Sequence, residues 1–286
     1  MSNIRFVSDS TINLSDQVVE DWGLSIAPVY VLFGNESMKD SGEQSVAEFY
    51  RRLAAADELP TSSQPTPADI AAIYRRLARE GATDIISIHV TARSSGTCNS
   101  AELAKGMLAD EDVDIHVVDS ESTSLHMAFM LREAMDVAEA GGSAADALAA
   151  IDHVKANSDM FFTVTRVEHL ERSGRTHGAE QAIQATVKVQ PVITIAEGVP
   201  KAIEQVRTRR AGFNRVIALM QEASGGKPIR RLGIVHGNVL HFAEQLADMA
   251  ADAFSFPREQ IMIGDFGPGL TVHFGPGLLG ITAQRA

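Results

Sequence analysis

The sequence predicts an α/β fold in two domains: residues 1–157 on a parallel sheet flanked by helices, and residues 158–286 on a mixed sheet with helices. Three observations predict it. In the first half, short apolar strands alternate with segments whose apolar residues recur at helical spacing, and that rhythm calls for a parallel sheet with helical crossovers. In the second half, residues 191–196 and 201–206 flank Glu197-Gly198, the pattern of an antiparallel hairpin, so that sheet is mixed. At 286 residues the chain exceeds a usual single core, and each half is long enough to bury its own.

Residues 4–8 read as a buried strand. Ser15 is the N-cap of a helix carrying Val18, Val19 and Trp22, with Gly23 as its stop. Residues 24–33 read as one further strand. Ser45 and Glu48 form a capping-box pattern for a helix through Ala56. After Pro67, the residues Ile70, Ile73, Tyr74 and Leu77 fall at i, i+3, i+4, i+7 until Gly81 ends the helix. A strand over 84–90, a helix over 97–108, a strand over 113–118 and a helix over 124–139 follow. Gly141-Gly142 and an alanine-rich helix mark a composition shift that places the domain break near Asn157.

The second half opens with a strand over 160–164 and short helices on either side of Ser173-Gly174. The hairpin comes next, then a helix over 209–222, a strand over 231–235, a helix over 239–254 and strands near Ile261 and Thr271. No repeat or low-complexity tract interrupts this order.

With 37 acidic and 25 basic side chains, the formal charge of −12 argues against nonspecific attraction to nucleic acid or an anionic membrane surface. No run approaches the roughly 18 apolar residues of a membrane span. Cys98 stands alone, which excludes an intramolecular disulfide and a cysteine metal cluster. The first residues lack a basic region followed by an apolar run, so a cytoplasmic location is expected. Neither a GxxxxGK[ST] phosphate loop nor a GxGxxG fingerprint is present, and neither a cofactor nor a metal is expected.

Five segments carry hydroxyls, glycines and one cation between ordinary elements. They are Ser8-Asp9-Ser10-Thr11, Pro60-Thr61-Ser62-Ser63-Gln64-Pro65, Ser94-Ser95-Gly96-Thr97, Gly174-Arg175 and His273-Phe274-Gly275-Pro276-Gly277. Ligands bind at the C-terminal ends of parallel strands, where several of these fall. Ser95-Gly96-Thr97 opens a helix whose N–H groups suit an anion, although either hydroxyl equally suits capping that helix. Three prolines stiffen the loop that presents Ser62, which otherwise reads as a connector. Arg166, Arg172 and Arg175 form one basic run, and Arg207, Arg209, Arg210 and Arg215 another; a solvated face suits each as well as an anion does.

In order and spacing the five segments resemble the DegV family of bacterial fatty-acid-binding proteins, from the first strand to the last few residues. The resemblance implies a ligand site between the two domains, where a long-chain fatty acid is buried in a tunnel. It implicates Ser62, Ser95, Gly96, Thr97, Arg175, His273 and Gly275 in gripping the carboxylate. It also implies a non-catalytic carrier whose partner, a kinase subunit resembling dihydroxyacetone kinase, phosphorylates the carboxylate to an acyl phosphate. Arg207 and Arg209 match a stretch implied in docking that partner. Phe274 stands where the family usually has threonine, and Cys98 where it often has an aromatic residue. Met160, Phe161, Phe162, Val187 and Val189 are candidate tunnel walls. Two rival readings remain at this stage. One is an acyl ester hydrolase using Ser95 and His273, without a GxSxG elbow; the other is a sensor of a small phosphate compound, without an apolar tunnel.

Overall fold

The computed structural model describes residues 3–40, 42–176 and 189–286. Strand β1 (Ile4–Asp9) leads through a 3₁₀ turn to helix α1 (Asp16–Asp21), where Ser15 Oγ accepts from Val18 N as the cap its sequence predicts. The expected strand over 24–33 is two strands, β2 (Ser25–Ala27) and β3 (Val29–Phe33), in different sheets. Pro28 between them has no N–H with which to continue a ladder.

β4 (Glu36–Asp40) precedes helix α2 (Glu43–Ala55), which Gly42 opens. Ser45 therefore lies inside this helix rather than capping it, and its hydroxyl donates to Lys39 O. β5 (Thr61–Ser63) makes part of the proline-rich loop a strand, in an antiparallel sheet ordered β4-β3-β5. α3 (Pro67–Arg79) carries a capping box from Thr66 and Asp69 and buries Ile70, Tyr74 and Leu77. β6 (Asp84–His89), α4 (Thr97–Gly106), β7 (Asp114–Asp119), α5 (Ser124–Glu139) and α6 (Ala144–Ala156) follow where the spacing predicts.

Then come β8 (Ser158–Thr163), α7 (Val167–Ser173), the hairpin β9 (Gln190–Ala196) and β10 (Val199–Val206), α8 (Arg209–Ser224), β11 (Ile229–His236), α9 (Leu240–Phe254) and β12 (Met262–Asp265). The helix expected after Ser173-Gly174, and the candidate wall residue Val187, lie outside the described residues. The expected strand near Thr271 is a helix, α10 (Gly267–Phe274). Gly267 opens it at a φ of +65° and Pro268 suits its first turn. Sequence reasoning missed two strands outright, β4 and β13 (Leu279–Arg285).

β2-β1-β6-β7 form a wholly parallel sheet. β10-β9-β8-β13-β11-β12 form a mixed one, antiparallel except for β11 with β12. Helix α5 lies against both sheets, and its residues 124–131 are buried all round, as expected of a helix with no solvent face. Gly233 on β11 makes this possible: a Cβ there would stand 3.1 Å from Leu125 Cδ1 and from Phe129 Cζ.

Candidate functional site

The parallel sheet reverses its strand order between β1 and β6, and that switch point is where open α/β sheets form a crevice. Asp9 ends β1 and is fully buried. It accepts from Thr11 N at 3.0 Å, Thr11 Oγ1 at 2.5 Å and Val90 N at 2.9 Å, and it faces His89 Nδ1 at 3.2 Å. Tyr74 OH donates to Ser87 Oγ at 2.7 Å, leaving the Ser87 hydroxyl free to donate to His89 Nε2, also at 2.7 Å. His89 Nδ1–H then donates to Asp9. This Ser-His-Asp chain is closed to solvent, so it serves as a scaffold that fixes Thr11 and Val90 at the edge of the crevice.

Above it, between the two large sheets, lies a cavity of about 230 Å³. Its polar wall brings together Ser62, Ser95, Gly96, Arg175 and His273 from four separate stretches of the chain, with Ser63 and Gln64 beside them. Its apolar wall is Val29, Val90, Ile195, Pro200, Leu270 and Phe274. Thr97 and Gly275, also expected at the site, stand one layer back. Thr97 N donates to Ser95 Oγ at 3.3 Å, with the two hydroxyls 2.9 Å apart. Gly275 ends α10 at a φ of +77°, packed so tightly that a Cβ would come within 2.7 Å of Arg166 Cβ. The space above Gly96 is filled by Gln64, whose Nε2 would lie 2.9 Å from a Cβ at residue 96.

Charge is concentrated in one contact. His273 Nε2 is 2.7 Å from Ser62 Oγ, and Arg175 Nη1 lies 2.9 Å from His273 Nδ1 and also against Nε2. A guanidinium has no acceptor, so only a neutral imidazole tolerates it. Burial first, then Arg175 and His169, push the His273 pKa down to about 3. Burial also lowers the pKa of Arg175, whose guanidinium meets His273 and no carboxylate among the described residues. A desolvated cation with only a neutral partner calls for an anion.

The second sheet closes the cavity through its hairpin. Thr91 Oγ1 donates to Gly198 O at 2.7 Å, and Gly198, at a φ of +76°, has no room for a Cβ beside that hydroxyl. Ile195 and Pro200 reach the wall by this docking, which no local pattern announces. Thr123 also lines the cavity, and it follows the end of β7, where the strand-end rule would have found it. The candidate walls Met160, Phe161, Phe162 and Val189 are corrected: none lines the cavity, and the first three are buried in the apolar clusters. Cys98 is a buried thiol pushed up to about 12 by desolvation, Sγ meeting Val90 O at 3.6 Å, and so is no nucleophile. Arg207 is exposed, and Arg209 stacks over the Phe242 ring at 3.9 Å; neither lines the cavity.

A larger crevice of about 750 Å³ lies elsewhere, between α1, α2 and β12. Its described lining carries Asp16, Asp40 and Asp265 and no cation, and burial pushes Asp40 up to about 7. Such a wall repels an anion.

The fold and this wall define a class: an α/β protein of two large sheets and one small one, with a cavity that is apolar on one wall and carries a cation on the other. The family model described as "Uncharacterised protein, DegV family" matches residues 3–286. The chain belongs to the DegV family. A DegV domain-containing protein of Halalkalibacterium halodurans is 31% identical over 282 residues, covering 99% of this chain and 98% of its own. Protein DegV of Bacillus subtilis is 30% identical over 281 residues, 98% of each. Among solved structures, a DegV lipid-binding protein of Thermotoga maritima has a TM-score of 0.90 at 23% identity, covering 100% of this chain and 99% of that one. A DegV family protein of Thermus thermophilus, reported for its fatty acid binding, has a TM-score of 0.88 at 27% identity, covering 99% of both chains.

Proposed function

We propose that this protein is a fatty-acid carrier in which Ser62, Ser95, Arg175 and His273 hold the carboxylate while the acyl tail enters the apolar side of the cavity. The observation that carries this reading is Arg175, a desolvated cation at the mouth of a cavity with few polar partners and no carboxylate among the described residues to neutralise it. The fatty acid binding reported for the Thermus thermophilus relative supports the same ligand. Removing tail methylenes from water supplies most of the affinity, at about 0.8 kcal/mol each, and the polar contacts set orientation.

The carrier has no catalysis of its own in this reading. A hydrolase built on Ser95 and His273 needs the two to be hydrogen-bonded, but Ser62 takes that place at His273 and Ser95 pairs with Thr97. A base with its pKa pushed down to about 3 also takes up no proton at neutral pH. A phosphate sensor would not need the apolar wall of Val29, Ile195, Leu270 and Phe274. The rest of the proposal is a cytoplasmic carrier that presents its carboxylate to a fatty acid kinase, docked in part through Arg207 and Arg209.

The test is Arg175→Ala. Calorimetric titration with a fatty acid should show affinity falling roughly ten- to a hundredfold, the size of a lost charge-assisted hydrogen bond. Arg175→Lys should restore part of it. Unchanged affinity in Arg175→Ala would remove the carboxylate from this mouth.

A further inference from the structure

Asp40 ends β4 between two spaces. On one side it lines the larger crevice with Ser10, Asn13 and Tyr50. On the other, its Oδ2 accepts from Gly269 N at 2.9 Å, and Gly269 and Val29, the residue across the ladder from Asp40, both form the wall of the smaller cavity. The wall is thin there: a Cβ at Gly269 would stand 2.7 Å from Asp40 Oδ2 and 3.2 Å from Val29 Cγ1. His273 follows Gly269 along α10 by about one turn, or about 6 Å of axial rise, on the same face of the helix. An anion seated against His273 and Arg175 therefore lies on the order of 10 Å from the Asp40 carboxyl, through protein and not through water.

The surroundings of Asp40 are anionic. Asp9 at the end of β1 and Asp265 at the end of β12 face it, as does Tyr50 of α2, whose OH donates to Asp265 Oδ1 at 3.0 Å; Asp16 of α1 lines the same crevice. His236 of β11 lies 3.2 Å from Asp265, and Lys39 projects from the opposite face of β4, toward Asp69. Burial first, then Asp9 and Asp265, raise the Asp40 pKa to about 7 against the pull of its two donors, Gly269 N–H and the Ser10 hydroxyl.

Resting on the carrier reading above, we propose that Asp40 takes up a proton when a fatty acid anion enters the cavity, so that loading is favoured below neutral pH and release above it. The two negative charges oppose each other across the wall. Linkage is reciprocal: the factor by which the bound anion raises the proton affinity of Asp40 is the factor by which protonation raises affinity for the anion. At that separation a unit charge is worth roughly tenfold. Affinity is therefore full where Asp40 is neutral, below about pH 7, and falls as pH rises through that value. His273, with its pKa down at about 3, stays neutral across this window, and Arg175 stays charged.

The experiment is calorimetric titration of the whole chain with oleate, kept below its micelle concentration, from about pH 6 to about pH 8.5. Two buffers of different ionisation enthalpy are used, so that the difference in heat counts protons. Wild type should take up roughly half a proton per oleate near pH 7.5 and bind roughly five- to tenfold more weakly at the alkaline end than at the acid end. Asp40→Asn keeps the size of the side chain and the neutrality of the protonated form. It should take up none and bind at the alkaline end as wild type does at the acid end, with thermal unfolding confirming that it is folded. A second readout needs no variant. With oleate carrying carbon-13 at its carboxyl, so that ligand and protein bands separate, the infrared spectrum of wild type near pH 7.5 should gain the band of a protonated protein carboxyl on binding. No proton uptake in wild type, no such band, or undiminished uptake in the folded variant, which would put the proton on His273 or His236, overturns the role of Asp40 and leaves the carrier standing. No binding of oleate or palmitate at any pH overturns the carrier reading and this one with it.

Discussion

Histidines 126 and 273 differ in what surrounds them yet share one consequence. His126 is enclosed by Ser122 Oγ at 2.7 Å from Nδ1 and Ser158 Oγ at 2.6 Å from Nε2. The Ser158 hydroxyl is already donated to Val154 O, so Nε2–H donates to Ser158 and Nδ1 accepts from Ser122. Burial pushes this ring down to about 4, as it pushes His273, beside Arg175, down to about 3. Both are neutral in the folded protein, while the unfolded chain takes up a proton on each near pH 6.5. The unfolded state therefore binds more protons below that pH, and stability is lost as pH falls from 6.5 toward the folded values. For His126 alone the window is 6.5 to about 4, and the loss is on the order of 3 kcal/mol. His126→Gln offers one acceptor and one donor to the same serines without titrating. Urea unfolding between pH 7 and 4.5 should show the variant losing less stability than wild type by most of that amount, and parallel pH profiles would disprove the assignment.

Helix α4 places the site's tightest backbone approach. Gly96 stands at its N-cap with no side chain, and the Gln64 amide fills the space that a Cβ would take. Since the amide is the tip of a flexible side chain, Gly96→Ala costs folding little, about 1 kcal/mol or less, and instead drives Gln64 toward the ligand. Near-wild-type thermal unfolding with severalfold weaker fatty acid binding is the expected pair of results; equal binding would show that Gln64 yields away from the cavity. Elements of this kind were readable because the chemistry is local: Ser62, Ser95, Arg175 and His273 each sit in a short polar segment whose order and spacing carry the signal. The misread elements depend on distant partners. Residues 267–274 carry β-branched and aromatic side chains that favour a strand, and the Gly267-Pro268 start that makes them a helix was the overlooked cue. β13 reads weakly because Gly280 and Gln284 break its apolar run, yet it pairs with β8 and β11 at the centre of the second sheet. Ile195 and Pro200 reach the cavity only through the Thr91 contact with the hairpin, which is tertiary.

Across the whole molecule, the two large sheets are separate in sequence and joined in energy. Strands β1 to β7 precede Asn157 and β8 to β13 follow it, the division at which the composition predicts a domain break. The largest apolar cluster nevertheless runs through that division, from Phe6, Ile86 and Ile88 by way of Leu125 and Phe129 to Phe162, Val235 and Phe274. Helix α5 is the shared piece: it belongs to the first half in sequence, but Leu125 and Phe129 rest on Gly233 of the second sheet. Separating the halves would expose several large side chains at about 1.5–3 kcal/mol each, a sum comparable with the whole stability of a domain. The chain should therefore unfold in a single transition, with circular dichroism and the fluorescence of Trp22 giving one coincident midpoint, and a bound fatty acid should raise that midpoint as one step. Gly233→Ala would push Leu125 and Phe129 off the second sheet and should lower the midpoint by several degrees for both probes together. If Trp22, on the first half, instead kept its native signal while the second sheet melted, α5 would be a lining of one unit and not the joint between two.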